Sequence, residues 1–181
     1  MDIPIGLSDD KSRKADIEAR EVLRPLRASS VFPAPVRATL AAKSYDEACD
    51  LSFRACGKKL SKQTYAILPK IREADQAMRP EVQQRVVEVH PEVSFCALNG
   101  MQPLADSKKS PSGAQQRERL LASVFEDDLA CEAVRAGVWL EDFFDACAAA
   151  WTAGRLALGE AKRLPPDPPT DRRGLRMEIA Y

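Results

Sequence analysis

The chain has 181 residues, of which 45% are hydrophobic and 30% charged, and its 27 Lys and Arg residues equal its 27 Asp and Glu residues. This composition excludes a disordered or fibrous chain, and the balanced charge argues for no particular partner. The length favours a single domain over residues 1–181.

The sequence also limits where the protein works and which metals it can hold. No apolar run approaches the roughly twenty residues of a membrane span, and the first ten residues lack the features of a signal peptide. Five scattered cysteines with no C-x-x-C pair indicate reduced thiols and a cytoplasmic location. The only histidine is His90, so a zinc site of several histidines or paired cysteines is excluded. A bound metal would have mostly carboxylate ligands, which favours Mg²⁺ or Mn²⁺.

The N-terminal half is predicted to begin with the end of a buried strand, at residues 3–7, and to continue as helices. Apolar residues at helical spacing predict a helix over 15–26 and a second, broken one over about 37–55. Ser61 is a candidate N-cap for a helix reaching Met78, and Pro69 predicts a kink in it.

The C-terminal half is predicted to contain two more short strands, over 85–89 and 174–181. Helices are expected between them. They run from Pro91 to Gly100, after Pro111, over 127–135 and over 140–158. Three short strands are fewer than the usual four to six of a sheet. Either short strands escape the pattern or part of the sheet is absent from this chain.

Three aspartates stand where α/β proteins place their sites. Asp2 lies at the predicted exit of a core strand, at the sheet edge, although a solvated terminal residue is the simpler alternative. Asp142 and Asp145 are three residues apart and share one face of a helix rich in small residues. Their alternative role is to stabilise the start of that helix.

A second set of polar residues surrounds the predicted strand 85–89. Glu88 and His90 alternate with valines and are expected on one face of that strand, either solvated or functional. Glu92 begins the next helix, where a carboxylate stabilises the helix dipole. Lysines in loops and on helix faces are usually only solvated. Walker A, G-x-G-x-x-G and G-x-S-x-G motifs are absent, which argues against a P-loop NTPase or a common serine hydrolase.

Several segments together resemble domain-of-unknown-function family 429, whose members are regarded as predicted nucleases with an RNase H-like fold. The resemblance covers nearly the whole chain and rests on the segments DIPIGL, SSVFPAP, GKKLSKQTYAILPKIREAD, EVHPEVSFCALNG, SKKS, DFFDACAAAWTA and PPDPPTDRRGLRMEIAY. It implies an α/β, RNase H-like three-layer fold that is helix-rich, with an incomplete sheet because the first strands are absent.

The resemblance also implies a two-metal nuclease site in which carboxylates hold Mg²⁺ or Mn²⁺ and a water attacks a phosphodiester. The implied metal ligands are Asp2, Asp145 and Asp142, with Glu88 as a further catalytic residue. The implied substrate-binding residues form two groups. His90 and Glu92 belong to the EVHPE motif, and the basic family positions are Lys62, Lys70 and Lys109.

Family members usually begin with a strand carrying Asp and a hairpin similar to V-D-G-x-x-G-W, and this sequence starts after that point. We therefore expect an upstream start, and an open sheet edge that could pair with another copy. The function expected is cleavage of DNA or RNA, which the sequence does not distinguish. The alternative is a catalytically impaired domain that binds nucleic acid or another protein; a weaker third hypothesis is a small-molecule phosphoester hydrolase.

Overall fold

The computed structural model of the protein describes residues 1–126 and 128–181 and has a helix-rich fold with one small sheet. The two strands, β1 (Arg163–Leu164) and β2 (Ile179–Ala180), are antiparallel neighbours. Two short 3₁₀ turns lie at Ala28–Ser30 and Arg37–Ala41. The α-helices of the described residues are α1 (Lys14–Val22), α2 (Tyr45–Cys56), α3 (Lys62–Ala66), α4 (Leu68–Ala77), α5 (Pro80–Gln83), α6 (Pro91–Leu98), α7 (Pro111–Leu121), α8 (Leu129–Ala136) and α9 (Leu140–Ala157).

Local capping chemistry explains where many of these helices begin and end. Ser44, Ser61 and Ser110 each accept a hydrogen bond from the amide three residues further on, at the starts of α2, α3 and α7. Gly57 ends α2 with a φ of 71°, a left-handed conformation that costs glycine little.

Most of the predicted helices are confirmed, with corrections at their ends. The helix beginning at Pro91 and the long helix from Leu140 have the expected starts. The kink expected at Pro69 is a break between α3 and α4, and this proline occupies the first turn of α4. The helix expected over 127–135 is α8, and Asp127 lies outside the described residues.

The strand predictions were largely wrong. Residues 3–7 are not a strand: Gly6 turns the chain with a φ of 75°, and the Ile5 amide bonds a side chain instead of a neighbouring strand. Residues 85–89 begin in a turn and contribute only one bridge, between Val89 and Ala180. The C-terminal strand is limited to two residues. The alternating apolar residues of segments 3–7 and 85–89 indicated burial correctly. Their amides, however, form hydrogen bonds with side chains and within turns more than with a neighbouring strand.

Helix α6 is the centre of the fold, and residues 91–96 are all buried. One side of α6 packs with α1 and the sheet through a cluster that includes Val93, Ala19 and Ile179. Its other side joins α7 and α9 through a cluster around Phe95 and Phe144. Among the helices of the described residues, none is long and apolar enough to cross a membrane. The start of α6 therefore lies between two packed halves of the molecule, and the candidate site is found there.

Candidate functional site

A cavity of about 520 Å³ opens at the start of α6. Its wall is formed by eight separate parts of the chain, so its shape depends on the tertiary fold and not on one motif. The lining residues are 2–4, 30–32, 88–92 and 107–109, together with Arg13, Asp16, Arg27, Ile67, Lys70, Asp145 and Ile179.

The N-terminal segment is fastened to residues 87–89 by main-chain bonds. The Met1 amino group donates to the Val87 carbonyl at 2.9 Å, and the Val89 amide donates to the Met1 carbonyl at 2.9 Å. These bonds hold Asp2 at the cavity wall, where its side chain is exposed. The position of Asp2 therefore follows from pairing with the segment that precedes α6.

A buried ion cluster around Arg13 forms the floor of the cavity. The Arg13 guanidinium donates to Glu88 at 2.8 and 2.7 Å and to Asp16 at 2.6 and 3.2 Å. It also donates to the Ile5 and Gly6 carbonyls. Burial raises the pKa of Glu88, and the bonds from Arg13 offset part of this effect. Glu88 is therefore a fixed partner of Arg13 at the base of the site.

A second buried ion cluster surrounds Glu92. Its Oε1 accepts from Arg117 at 2.6 Å and from Arg27 at 3.3 Å. Arg117 is only 1% exposed and also lies over the Phe95 ring. Glu92 Oε2 and His90 Nδ1 are buried without a hydrogen-bond partner among the described residues. Glu92 thus pairs with two arginines beside the cavity and keeps one oxygen without a hydrogen bond.

The third ion pair joins Lys108 to Asp145 across the cavity. The Lys108 Nζ lies 2.5 Å from Asp145 Oδ2, and both side chains are mostly buried. Burial raises the pKa of Asp145, as do Asp2 and Glu92, while Lys108 acts in the opposite direction. Burial lowers the pKa of Lys108, but Asp145, Asp142 and Glu92 outweigh it, so that pKa is raised overall. Four carboxylates therefore interact at this one place.

The loop that carries Lys108 is anchored against the first turn of α7. Ser110 Oγ accepts from the Gly113 amide at 3.1 Å and donates to the Ser107 carbonyl at 2.8 Å. A Cβ on Gly113 would lie 1.9 Å from the Ser107 carbonyl oxygen, which only glycine avoids. The closeness of loop and helix fixes Lys108 and Lys109 at the cavity edge.

The structure brings seven of the nine candidate residues from the sequence to this cavity. Asp2, Glu88, His90, Glu92, Asp145, Lys70 and Lys109 line it. Asp142 is exposed outside the wall, one turn from Asp145, but close enough to raise the pKa of Lys108. Lys62 is exposed at the start of α3 and does not line the cavity.

Sequence reasoning missed the basic residues that neutralise the carboxylates. Lys108 is not among the residues predicted from sequence, although it is adjacent to the predicted Lys109. Arg13, Arg27 and Arg117 belong to no motif. Arg13 lies 75 residues from its partner Glu88, and Arg27 and Arg117 lie 65 and 25 residues from Glu92. Such pairings depend on tertiary contacts, which residue spacing does not reveal.

The carboxylates as arranged do not fit a two-metal site. Such a site needs several oxygen ligands directed at each ion. Asp145 is bound by Lys108, Glu88 by Arg13, and Glu92 by Arg117. Within residues 1–126 and 128–181, no three His, Cys, Asp or Glu side chains are grouped so that they could hold a metal ion.

The fold and the cavity define a helix-rich protein with one small sheet and a charged cleft at the start of its central helix. The family model described as "Protein of unknown function (DUF429)" matches residues 1–170, and the chain belongs to that family. The family resemblance of the sequence is thereby confirmed. Neither the curated proteins nor the solved structures compared with this chain give a match.

Proposed function

We propose that the chain binds nucleic acid by placing backbone phosphates against the rim of this cavity. The observation that carries the proposal is that Lys70, Lys108 and Lys109 all line the same cavity. Lys70 and Lys109 are exposed and come from α4 and from the loop before α7, elements far apart in sequence. Lysines gathered from distant segments along an opening suit a polyanion, because each one can neutralise a phosphate.

The internal ion pairs determine which cations remain for a ligand. Arg13 is matched by two buried carboxylates, and Arg27 shares Glu92 with Arg117. Among the described residues, no ion pair involves Lys70 or Lys109. The acidic floor is thus largely neutralised from within, and the two rim lysines keep their charge for a bound phosphate.

An aromatic ring in the same wall suits the base of a single-stranded nucleotide. Phe32 lines the cavity and is 45% exposed, although it is a large apolar residue. Stacking of a base on an aromatic side chain contributes about 1–3 kcal/mol without depending on base identity. A lysine rim with one exposed ring therefore favours single-stranded DNA or RNA over a duplex.

Fluorescence anisotropy with labelled oligonucleotides tests the proposal. We expect the wild-type chain to bind single-stranded DNA or RNA, with log affinity falling as log salt rises. The double variant K70A/K109A is expected to bind more weakly and to reduce the salt slope by about two, roughly one per phosphate contact. The matched control K43A/K162A removes two exposed lysines elsewhere and is expected to leave both quantities unchanged. Equal binding and equal salt slopes for the two double variants contradict the proposal.

A second candidate function is cleavage of a phosphodiester with Mg²⁺ or Mn²⁺, on an RNase H-like scaffold. The observation that favours it is that Asp2 and Asp145 line one cavity and interact electrostatically. The packing of helices on both sides of α6, with a short sheet beside α1, is compatible with three layers. Carboxylate oxygens are ligands that suit these hard cations. The arrangement as it stands does not supply the ligand set, so cleavage requires a rearrangement at Asp145.

Hydrolysis assays separate this candidate from binding alone. Wild type, D145N and K70A/K109A are incubated with labelled single- and double-stranded DNA and RNA, each with Mg²⁺, Mn²⁺ or chelator. Cation-dependent cleavage that D145N removes while retaining binding supports the nuclease. Binding without cleavage under every condition leaves the nucleic-acid-binding function and rejects the second candidate for this chain.

A further inference from the structure

The ammonium group of Lys108 lies against a carboxylate in the lining of the cavity. Its Nζ is 2.5 Å from Asp145 Oδ2, and the pair is well shielded, with side-chain exposures of 32% and 17%. Asp142 and Glu92 also act on Lys108, and Asp2 acts on Asp145. The acidic groups that could attract a divalent ion therefore already surround one lysine.

We propose that Lys108 is an internal competitor that excludes divalent cations from the Asp145 carboxylate. A metal ion and the ammonium group need the same oxygen, and both cannot occupy it because like charges repel strongly at such distances. The lysine has the advantage of being covalently attached and held in place. We therefore expect the wild-type chain to bind divalent cations weakly, because Lys108 already occupies the Asp145 oxygen.

The anchoring of the Lys108 loop supports this role. Ser110 joins the loop to the start of α7 through the Ser107 carbonyl and the Gly113 amide. The contact between the Ser107 carbonyl and Gly113 leaves no room for a side chain. A lysine on a loop fixed in this way keeps its ammonium near Asp145 at a smaller entropic cost than a lysine on a free loop.

The neighbouring residue provides a matched control. Lys109 lines the same cavity, has the same charge and belongs to the same loop, but it is exposed and has no ion pair with a described residue. If net charge alone governed cation binding, removing either lysine would have the same effect. If occupancy of Asp145 governs it, only the change at Lys108 matters.

Mn²⁺ titration, followed by calorimetry or by the electron paramagnetic resonance signal of free Mn²⁺, tests the proposal without any nucleic acid. We expect K108M to bind Mn²⁺ at least about tenfold more tightly than wild type, and K109M to stay near wild type. K108R keeps the charge and is expected to bind as weakly as wild type. The double variant K108M/D145N is expected to lose the gain.

Two outcomes overturn the proposal. One is the same Mn²⁺ affinity for K108M and K109M, and the other is a gain at K108M that persists in K108M/D145N. Circular dichroism and thermal melting establish that each variant is folded, and K108Q replaces K108M if that variant is not. Because the assay contains no oligonucleotide, its result is independent of whether the rim lysines bind nucleic acid.

Discussion

Substitution of Arg13 by methionine tests whether the floor of the cavity depends on one buried guanidinium. Arg13 is 2% exposed and donates to Glu88, to Asp16 and to the Ile5 and Gly6 carbonyls. Methionine fills much of the same volume but leaves both carboxylates without their cation. The variant therefore removes charge and hydrogen bonds with little change in packing.

The expected loss of stability is large. Glu88 and Asp16 are 5% and 2% exposed, and removing one partner of a buried ion pair costs about 3–5 kcal/mol. Domains of this kind have an unfolding free energy of about 5–15 kcal/mol, so R13M is expected to lose a substantial part of it. Protonation of Glu88 limits the loss in acid, because burial already raises the pKa of that carboxyl.

The sign of the pH dependence follows from this raised pKa. A carboxyl whose pKa is higher in the folded than in the unfolded state stabilises the fold at a pH below its unfolded-state pKa. This contribution is lost as the pH rises through the folded-state pKa. Removing Arg13 raises the pKa of Glu88 further, since Arg13 is what lowers it. The cost of R13M is therefore expected to be larger at pH 8 than at pH 5.

Urea unfolding followed by circular dichroism measures the effect. The control is K14M, because the adjacent lysine is 64% exposed and its pair with Glu18 is worth about 0.3–0.5 kcal/mol. In R13M/E88Q we expect part of the loss to be recovered, as the uncompensated charge is removed. The reasoning is refuted if R13M loses less than about 1 kcal/mol at pH 8, or if its loss equals that of K14M.

Three further variants test other parts of the site. G113A displaces the Ser107 carbonyl and is expected to lower the free energy of unfolding by about 1–3 kcal/mol and to weaken oligonucleotide binding. The control is G154A in α9, where an added Cβ meets nothing within 4 Å, and urea unfolding is expected to show that this change is neutral or stabilising. E92A leaves buried Arg117 unpaired and is expected to cost about 3–5 kcal/mol; a melting temperature equal to that of wild type rejects this role. K108M raises the pKa of Asp145 further, so its cost in urea unfolding is expected to grow between pH 5 and pH 8, and a constant cost contradicts the ion pair.

The helices could be predicted from the sequence because their signals are local. Ser61 and Ser110 cap helices through amides three residues away, and Pro91 suits a first helical position wherever it lies in a protein. Segments 3–7 and 85–89 could not be predicted correctly in the same way. Their apolar character marks burial, but the Ile5 amide finds its partner in Glu88, 83 residues later. A hydrogen bond to a side chain far away along the chain produces no periodic pattern in the sequence.

Most residues of the candidate site could be predicted from the sequence, but the ion pairs between them could not. Motif resemblance selected Glu88, Glu92 and Asp145, and all three line the cavity. It did not reveal that each is bound to a basic side chain. Arg13 and Arg117 lie outside the matching segments, and the SKKS segment does not show which carboxylate Lys108 binds. Residue types at a site can thus be inferred from sequence, while their pairing requires the fold.

This pairing changes what the carboxylates can do. A carboxylate in an RNase H-like site must be free to hold a cation, whereas Glu88 here fixes the N-terminal segment through Arg13 and the Ile5 amide. Glu92 fixes α7 to α6 through Arg117 in a similar way. These two residues hold the wall in place, which leaves Asp2, Asp145 and the unused Oε2 of Glu92 to meet a ligand. Since Asp145 is paired with Lys108, the lysines of the lining without an ion pair among the described residues are Lys70 and Lys109, and the proposed phosphate would contact these two.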